Sequence, residues 1–148
     1  MRKIATIAST LALAGCVITV LPATLNPQAP PAFGSATVQA GFVHTVNLTA
    51  GGPISASVVG CNGYVASPPD FSINFQTIAG ILPLIFSVSS ATDTTLVVND
   101  PYGNWICDDD GGPGLNPLVR INGPVAGRYS VWVGTYNGGT APATLRVN

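Results

Sequence analysis

Gly, Pro, Asn and Asp break the chain beyond residue 34 so often that no apolar stripe of helical period can form. Each interval between them is long enough for one short strand. The 148 residues include 17 Gly and 13 Pro, and they contain no Glu, which removes the acid–base pairs that support exposed helices. The remaining runs alternate. In Phe71-Ser72-Ile73-Asn74-Phe75-Gln76 the apolar residues fall on every second position, the mark of a strand with one buried face. Val43–Thr49 sets His44, Val46 and Leu48 on one face, and Ile54–Val58 alternates again. Ile81–Ser87, Thr94–Asn99, Asn104–Cys107, Leu118–Ile121, Tyr129–Val133 and Thr144–Val147 follow, each bounded by turn residues. In Tyr129–Val133, Tyr129, Val131 and Val133 share a face, and Ser130 and Trp132 take the other. About eight strands at this spacing predict an all-β antiparallel sandwich, jelly-roll-like, in a single domain over residues 35–148.

The first 34 residues read as an export signal and a Pro-rich linker. Met1-Arg2-Lys3 is a basic start, Ile4–Leu21 is apolar, and the composition then shifts to Pro22–Pro31, with Ala32-Phe33-Gly34 an acceptable cleavage site. The competing reading of the apolar run is a membrane anchor of minimal length. Leu13-Ala14-Gly15-Cys16 also resembles the bacterial lipobox, which would lipidate Cys16 and hold the chain on the outer membrane. The expected location is therefore secreted or periplasmic, with the lipoprotein as the second form, and a lipid at Cys16 is the one route to a membrane. Cleavage near Gly34 leaves Arg120, Arg128 and Arg146 against six Asp, a balance of −3 without any basic cluster, which excludes a nucleic-acid partner. It also leaves Cys61 and Cys107 in an oxidising compartment, where they are expected to pair. A metal site or a reactive thiol is the alternative, but one His makes a zinc ligand set hard to assemble.

Asp108-Asp109-Asp110 gathers half of the carboxylates at consecutive positions, followed by Gly111-Gly112-Pro113-Gly114. Oxygen-rich loops of this kind suit calcium, with Asp100, Asp108, Asp109, Asp110 and Asn116 as candidate ligands. The alternative is a solvated loop in which one Asp caps backbone N–H groups. Upstream, Asn99-Asp100-Pro101-Tyr102-Gly103-Asn104 has the residues of a hairpin turn, with Pro at fixed φ and Gly at positive φ. Trp105 and Trp132 are candidate ligand contacts. For Trp105, packing beside the Cys61–Cys107 bridge is the competing role, and for Trp132 the face it occupies decides.

Three segments carry a family resemblance: Asp93–Asn104 with its strand and "DPxGN" turn, the acidic Asp108–Gly112, and Pro124–Tyr136 with its "GxYxVxV" strand. Together they resemble the bacterial pre-peptidase C-terminal domain. The resemblance implies a jelly-roll-like sandwich that accompanies exported enzymes without catalysing, and that binds calcium or an extracellular polymer in some members. No peptidase domain fits before it. His44 is the single candidate base, no "GxSxG" setting is present, and the carboxylates share one loop rather than facing each other across a cleft. The reading is a noncatalytic exported module whose partner is an extracellular polymer or protein. A small secreted hydrolase using His44 and the Asp loop, and a surface adhesion or assembly subunit, are the alternatives.

Overall fold

The computed structural model describes residues 23–76 and 82–148, so the signal segment and the Cys16 lipobox lie outside the described residues. The strands are β1 (Ser35–Gln39), β2 (His44–Gly51), β3 (Ile54–Ser55), β4 (Tyr64–Val65), β5 (Phe71–Gln76), β6 (Leu84–Ser89), β7 (Thr94–Asn99), β8 (Trp105–Asp108), β9 (Leu118–Ile121), β10 (Gly127–Thr135) and β11 (Thr140–Val147). They form two sheets. β10 organises the first: β5 and then β4 pair along one of its edges, β7 along the other, with β1 outside β5, β3 outside β4 and β8 outside β7. The second sheet runs β2-β11-β6-β9.

The sandwich is as expected, but with eleven strands among the described residues rather than about eight, β1 and β4 being additional, and with differences of detail. β1 pairs with β5 in parallel, whereas the other strand pairs are antiparallel. The expected strand Ile54–Val58 stops at Ser55, and a 3-10 turn takes over at Ala56–Val59. Ser55 Oγ accepts from the Ser57 N–H, and Gly60 closes the turn at φ 80°. Of the strand expected at Ile81–Ser87, Ile81 lies outside the described residues, and the strand described there is Leu84–Ser89.

Alternation decides what meets between the sheets. Phe71, Ile73 and Phe75 of β5 join Tyr129, Val131 and Val133 of β10 against Phe86, Val88 and Leu145 of the second sheet. Tyr129 is wholly buried, and its hydroxyl donates to the Val125 carbonyl at 3.0 Å and accepts from the Val125 N–H at 3.1 Å, locking the turn into β10. This resembles the tyrosine corner of other sandwiches. Tyr129→Phe leaves both Val125 groups without that partner, and chemical denaturation should show a loss of about 1–2 kcal/mol with an unchanged m-value.

The other face of β10 is also covered. Trp132 and Val97 lie in a second apolar cluster with Ile54, Ala56, Cys61, Val65 and Leu25. Leu25 belongs to the segment expected to be a linker. Instead of linking, the Pro-rich chain runs over the outer face of the first sheet as a strap. Ser130 Oγ donates to the Pro27 carbonyl at 2.7 Å, Arg128 donates to the Ala29 carbonyl at 2.9 Å, and the N–H groups of Ala32 and Phe33 donate to Pro69 and Asp70. A Pro-rich extended segment has few partners of its own to satisfy, so it suits a role in which neighbours supply them.

Candidate functional site

The acidic loop joins β8 in the first sheet to β9 in the second, at one edge of the sandwich. Its stem is held covalently: Cys61 and Cys107 form a disulfide with Cα atoms 5.9 Å apart, and Cys107 stands opposite Val97 on β7. Trp105, half-buried, packs against the second cluster and tilts onto Trp132 with ring centroids 5.3 Å apart. Trp105 therefore packs beside the cluster that holds Cys61, with part of its ring left exposed. Trp132 is fully buried, which removes it from the candidate ligand contacts: its outer face is covered by the strap and by the 56–70 segment, whose Ser67 carbonyl accepts its indole N–H.

The carboxylates divide by task. Asp108 Oδ2 accepts from the Gly111 N–H at 2.7 Å and from the Leu118 N–H at 2.8 Å, closing the loop on itself. Asn116 ties this crossing to the neighbouring one between β6 and β7. Its Oδ1 accepts from the Ser90 N–H and the Thr94 hydroxyl, and its Nδ2 donates to the Ser90 and Pro113 carbonyls. Asp109 accepts from Asn62 Nδ2 at 3.2 Å, reaching across the disulfide. The Asp110 carboxyl is held above the usual carboxylate range by desolvation and by the charges of Asp109, Asp93 and Asp108.

Asp100 does not belong to this group. Leu96 is the residue opposite Asp108, so Asp100 lies four residues further along β7 and its turn, roughly 13 Å away. Its carboxylate is taken up by the Tyr102 and Asn104 N–H groups and by Asn104 Nδ2, and Gly103 passes through φ 85° to complete that turn. Among the described residues, no group of three or more His, Cys, Asp or Glu side chains is arranged to hold a metal ion. The concavity beside the loop, lined by Gly60, Cys61, Asn62, Cys107, Asp108 and Asp109, measures about 130 Å³, well below the ~300 Å³ at which small-molecule pockets begin.

His44 stands elsewhere. It opens β2, at the opposite edge of the second sheet from β9, and its ring stacks on Phe71 at 5.2 Å. Three strand spacings separate the two edges, roughly 14 Å. The residues that a hydrolase would need are not brought together.

One titratable group carries no warning in the sequence. Asp70 is 1% exposed, between β4 and β5, where the edge of β10 would otherwise lack a partner, and its carboxylate accepts the Val133 N–H at 2.7 Å. Burial pushes its pKa up to about 7, and the Val133 hydrogen bond pulls it back only in part. Between pH ~4 and ~7 the unfolded chain has released this proton while the folded chain keeps it. The stabilisation is therefore complete below pH ~4 and is lost as pH rises to and through ~7, by about 4 kcal/mol. Asp70→Asn retains an acceptor for Val133 and removes the charge. Urea midpoints at pH 5 and pH 8 should differ markedly in the parent and much less in the variant, and equal pH dependence in both would exclude this role.

No family model and no curated protein matches the chain. Among solved structures, the chain aligns with the crystal structure of Aeromonas hydrophila PliG, a periplasmic lysozyme inhibitor of g-type lysozyme. The identity is 16% and the TM-score 0.38, over 77% of this chain and 96% of that one.

Proposed function

We propose that the chain is a noncatalytic exported β-sandwich module of the pre-peptidase C-terminal type, which binds or stabilises a protein or polymer at the bacterial cell exterior. One observation carries the noncatalytic part. The single His and the acidic loop occupy opposite edges of the sandwich, and each is engaged in structure where it stands, His44 on Phe71 and Asp108 on its own loop. The basic apolar leader supports export, and the strand, turn and loop sequence from Asp93 to Tyr136 supports the family. Purified mature protein should turn over no member of broad peptide and glycan panels. Hydrolysis that disappears in His44→Ala or Asp110→Asn would overturn the reading.

Calcium is a second reading, favoured by the three consecutive carboxylates Asp108, Asp109 and Asp110 on one loop, where desolvation and then the charges of Asp109, Asp93 and Asp108 raise the Asp110 carboxyl. Asp109 and Asp110 are its core ligands, with Asp108 and Asn116 reorganising toward the ion. Millimolar calcium should raise the thermal midpoint by a few degrees over chelator, by mass action. Asp110→Asn should raise the midpoint without calcium, by relieving like-charge repulsion, and abolish the response. An unchanged parent midpoint removes calcium from the account.

A further inference from the structure

The two sides of the sandwich are guarded unequally. On one side lie the outer strands β8 and β9. β8 ends in Asp108 and runs into Asp109 and Asp110, and β9 follows buried Pro117 and carries Arg120. Charges and prolines at sheet edges prevent further strands from adding. On the other side lies β2, His44-Thr45-Val46-Asn47-Leu48-Thr49-Ala50-Gly51, with no Pro, Lys, Arg, Asp or Glu along eight residues. Among the described residues β2 pairs with β11 alone, so one row of its backbone N–H and C=O groups has no strand partner. Apolar side chains flank that row: Val43 is 57% exposed, and Val46 is only half-buried although it packs against the core.

We propose that this edge binds a second copy of the chain, β2 against β2 in antiparallel fashion about a two-fold axis through Asn47. The sequence of the strand suits that partner because it is complementary to itself about Asn47. With Asn47 facing Asn47, Thr45 faces Thr49 on the exposed face and Val46 faces Leu48 on the core face, and the pairing ends there because Ala50 and Gly51 are buried. Polar residues meet polar residues, apolar residues meet apolar ones, and no charge meets its own image on the axis. The register holds whichever of the alternate residues bond to β11, because residues that share a direction face one another across the axis. Thr144 Oγ1 donates to Asn47 Oδ1 at 2.9 Å, which fixes the amide and leaves its N–H groups for the partner's Asn47. The two four-stranded sheets become one continuous sheet.

Sedimentation of the mature protein from 1 to 500 µM should show a monomer–dimer equilibrium. Asn47→Lys, which places two like charges on the axis, should weaken association at least tenfold, while Thr92→Lys, the same charge on an exposed loop of the other side, should leave it unchanged. Asn47→Cys should cross-link into a covalent dimer under mild oxidation, because facing Cα atoms in a sheet lie about 4.5–5.5 Å apart. Thr49→Cys should not, since in this register its own counterpart is four residues away. A protein monomeric throughout that range, or cross-linking at position 49 but not at 47, would overturn the proposal.

Discussion

A chain that begins at Gly34 should fold poorly, losing about 5 kcal/mol relative to one that begins at Thr24. Leu25, Pro27 and Ala29 would all be missing. Removing buried Leu25 forfeits about 2–3 kcal/mol of apolar transfer and uncovers part of the cluster around Trp132. The hydrogen bonds from buried Ser130 and from Arg128 to the strap carbonyls are lost as well, at about 1 kcal/mol each, and they leave buried polar atoms behind. For a domain of this size a loss of that order lowers the thermal midpoint by about 15 °C or more. The same contacts bear on processing. Cleavage near Gly34, the expectation from composition, would discard structural residues, so the mature chain is proposed to start no later than Thr24. Parallel thermal scans of the two versions decide this, and equal midpoints would make the strap a passive tail.

Opening the Cys61–Cys107 bridge should cost about 4 kcal/mol. The link spans a sequence separation of 46 and constrains the unfolded chain accordingly. It also fastens the 3-10 segment, which carries Ala56 and Cys61 into the second cluster, to β8 at the root of the acidic loop. Cys61→Ala with Cys107→Ala should therefore lower the urea midpoint strongly. The loss should be smaller in the chain that already lacks residues before Gly34, because bridge and strap support the same cluster and their effects are not independent. Strict additivity when truncation and bridge removal are combined would show that they act separately.

The legible parts of this protein are those in which a local period reports burial. Tyr129–Val133 announces both faces of β10, and the direction of Trp132 away from Tyr129 follows from parity alone. Parity does not say whether an outer face meets water. For Trp132 the answer comes from Leu25, more than one hundred residues earlier. Nothing in Pro22–Pro31 distinguishes a strap from a linker, since extended Pro-rich chain has the same composition in both. Asp70 is invisible on similar grounds: its burial depends on β4 and β5 sharing one edge of β10 and leaving a gap that a carboxylate fills. The acidic loop is legible as a loop and only partly in its roles. That one Asp caps backbone N–H groups can be expected from composition, and Asp108 does so. The separation of Asp100 from Asp108 follows from hairpin register, which the turn residues alone do not fix.

Intact-mass analysis of the protein recovered from the exterior or periplasm of the exporting cell tests the account most directly, since it reads processing and cross-linking at once. The expected species has lost its leader, begins no later than Thr24, and is lighter by two hydrogens than its own reduced form. A chain that begins at Gly34 or beyond, or one that carries Cys61 and Cys107 as free thiols, would contradict it.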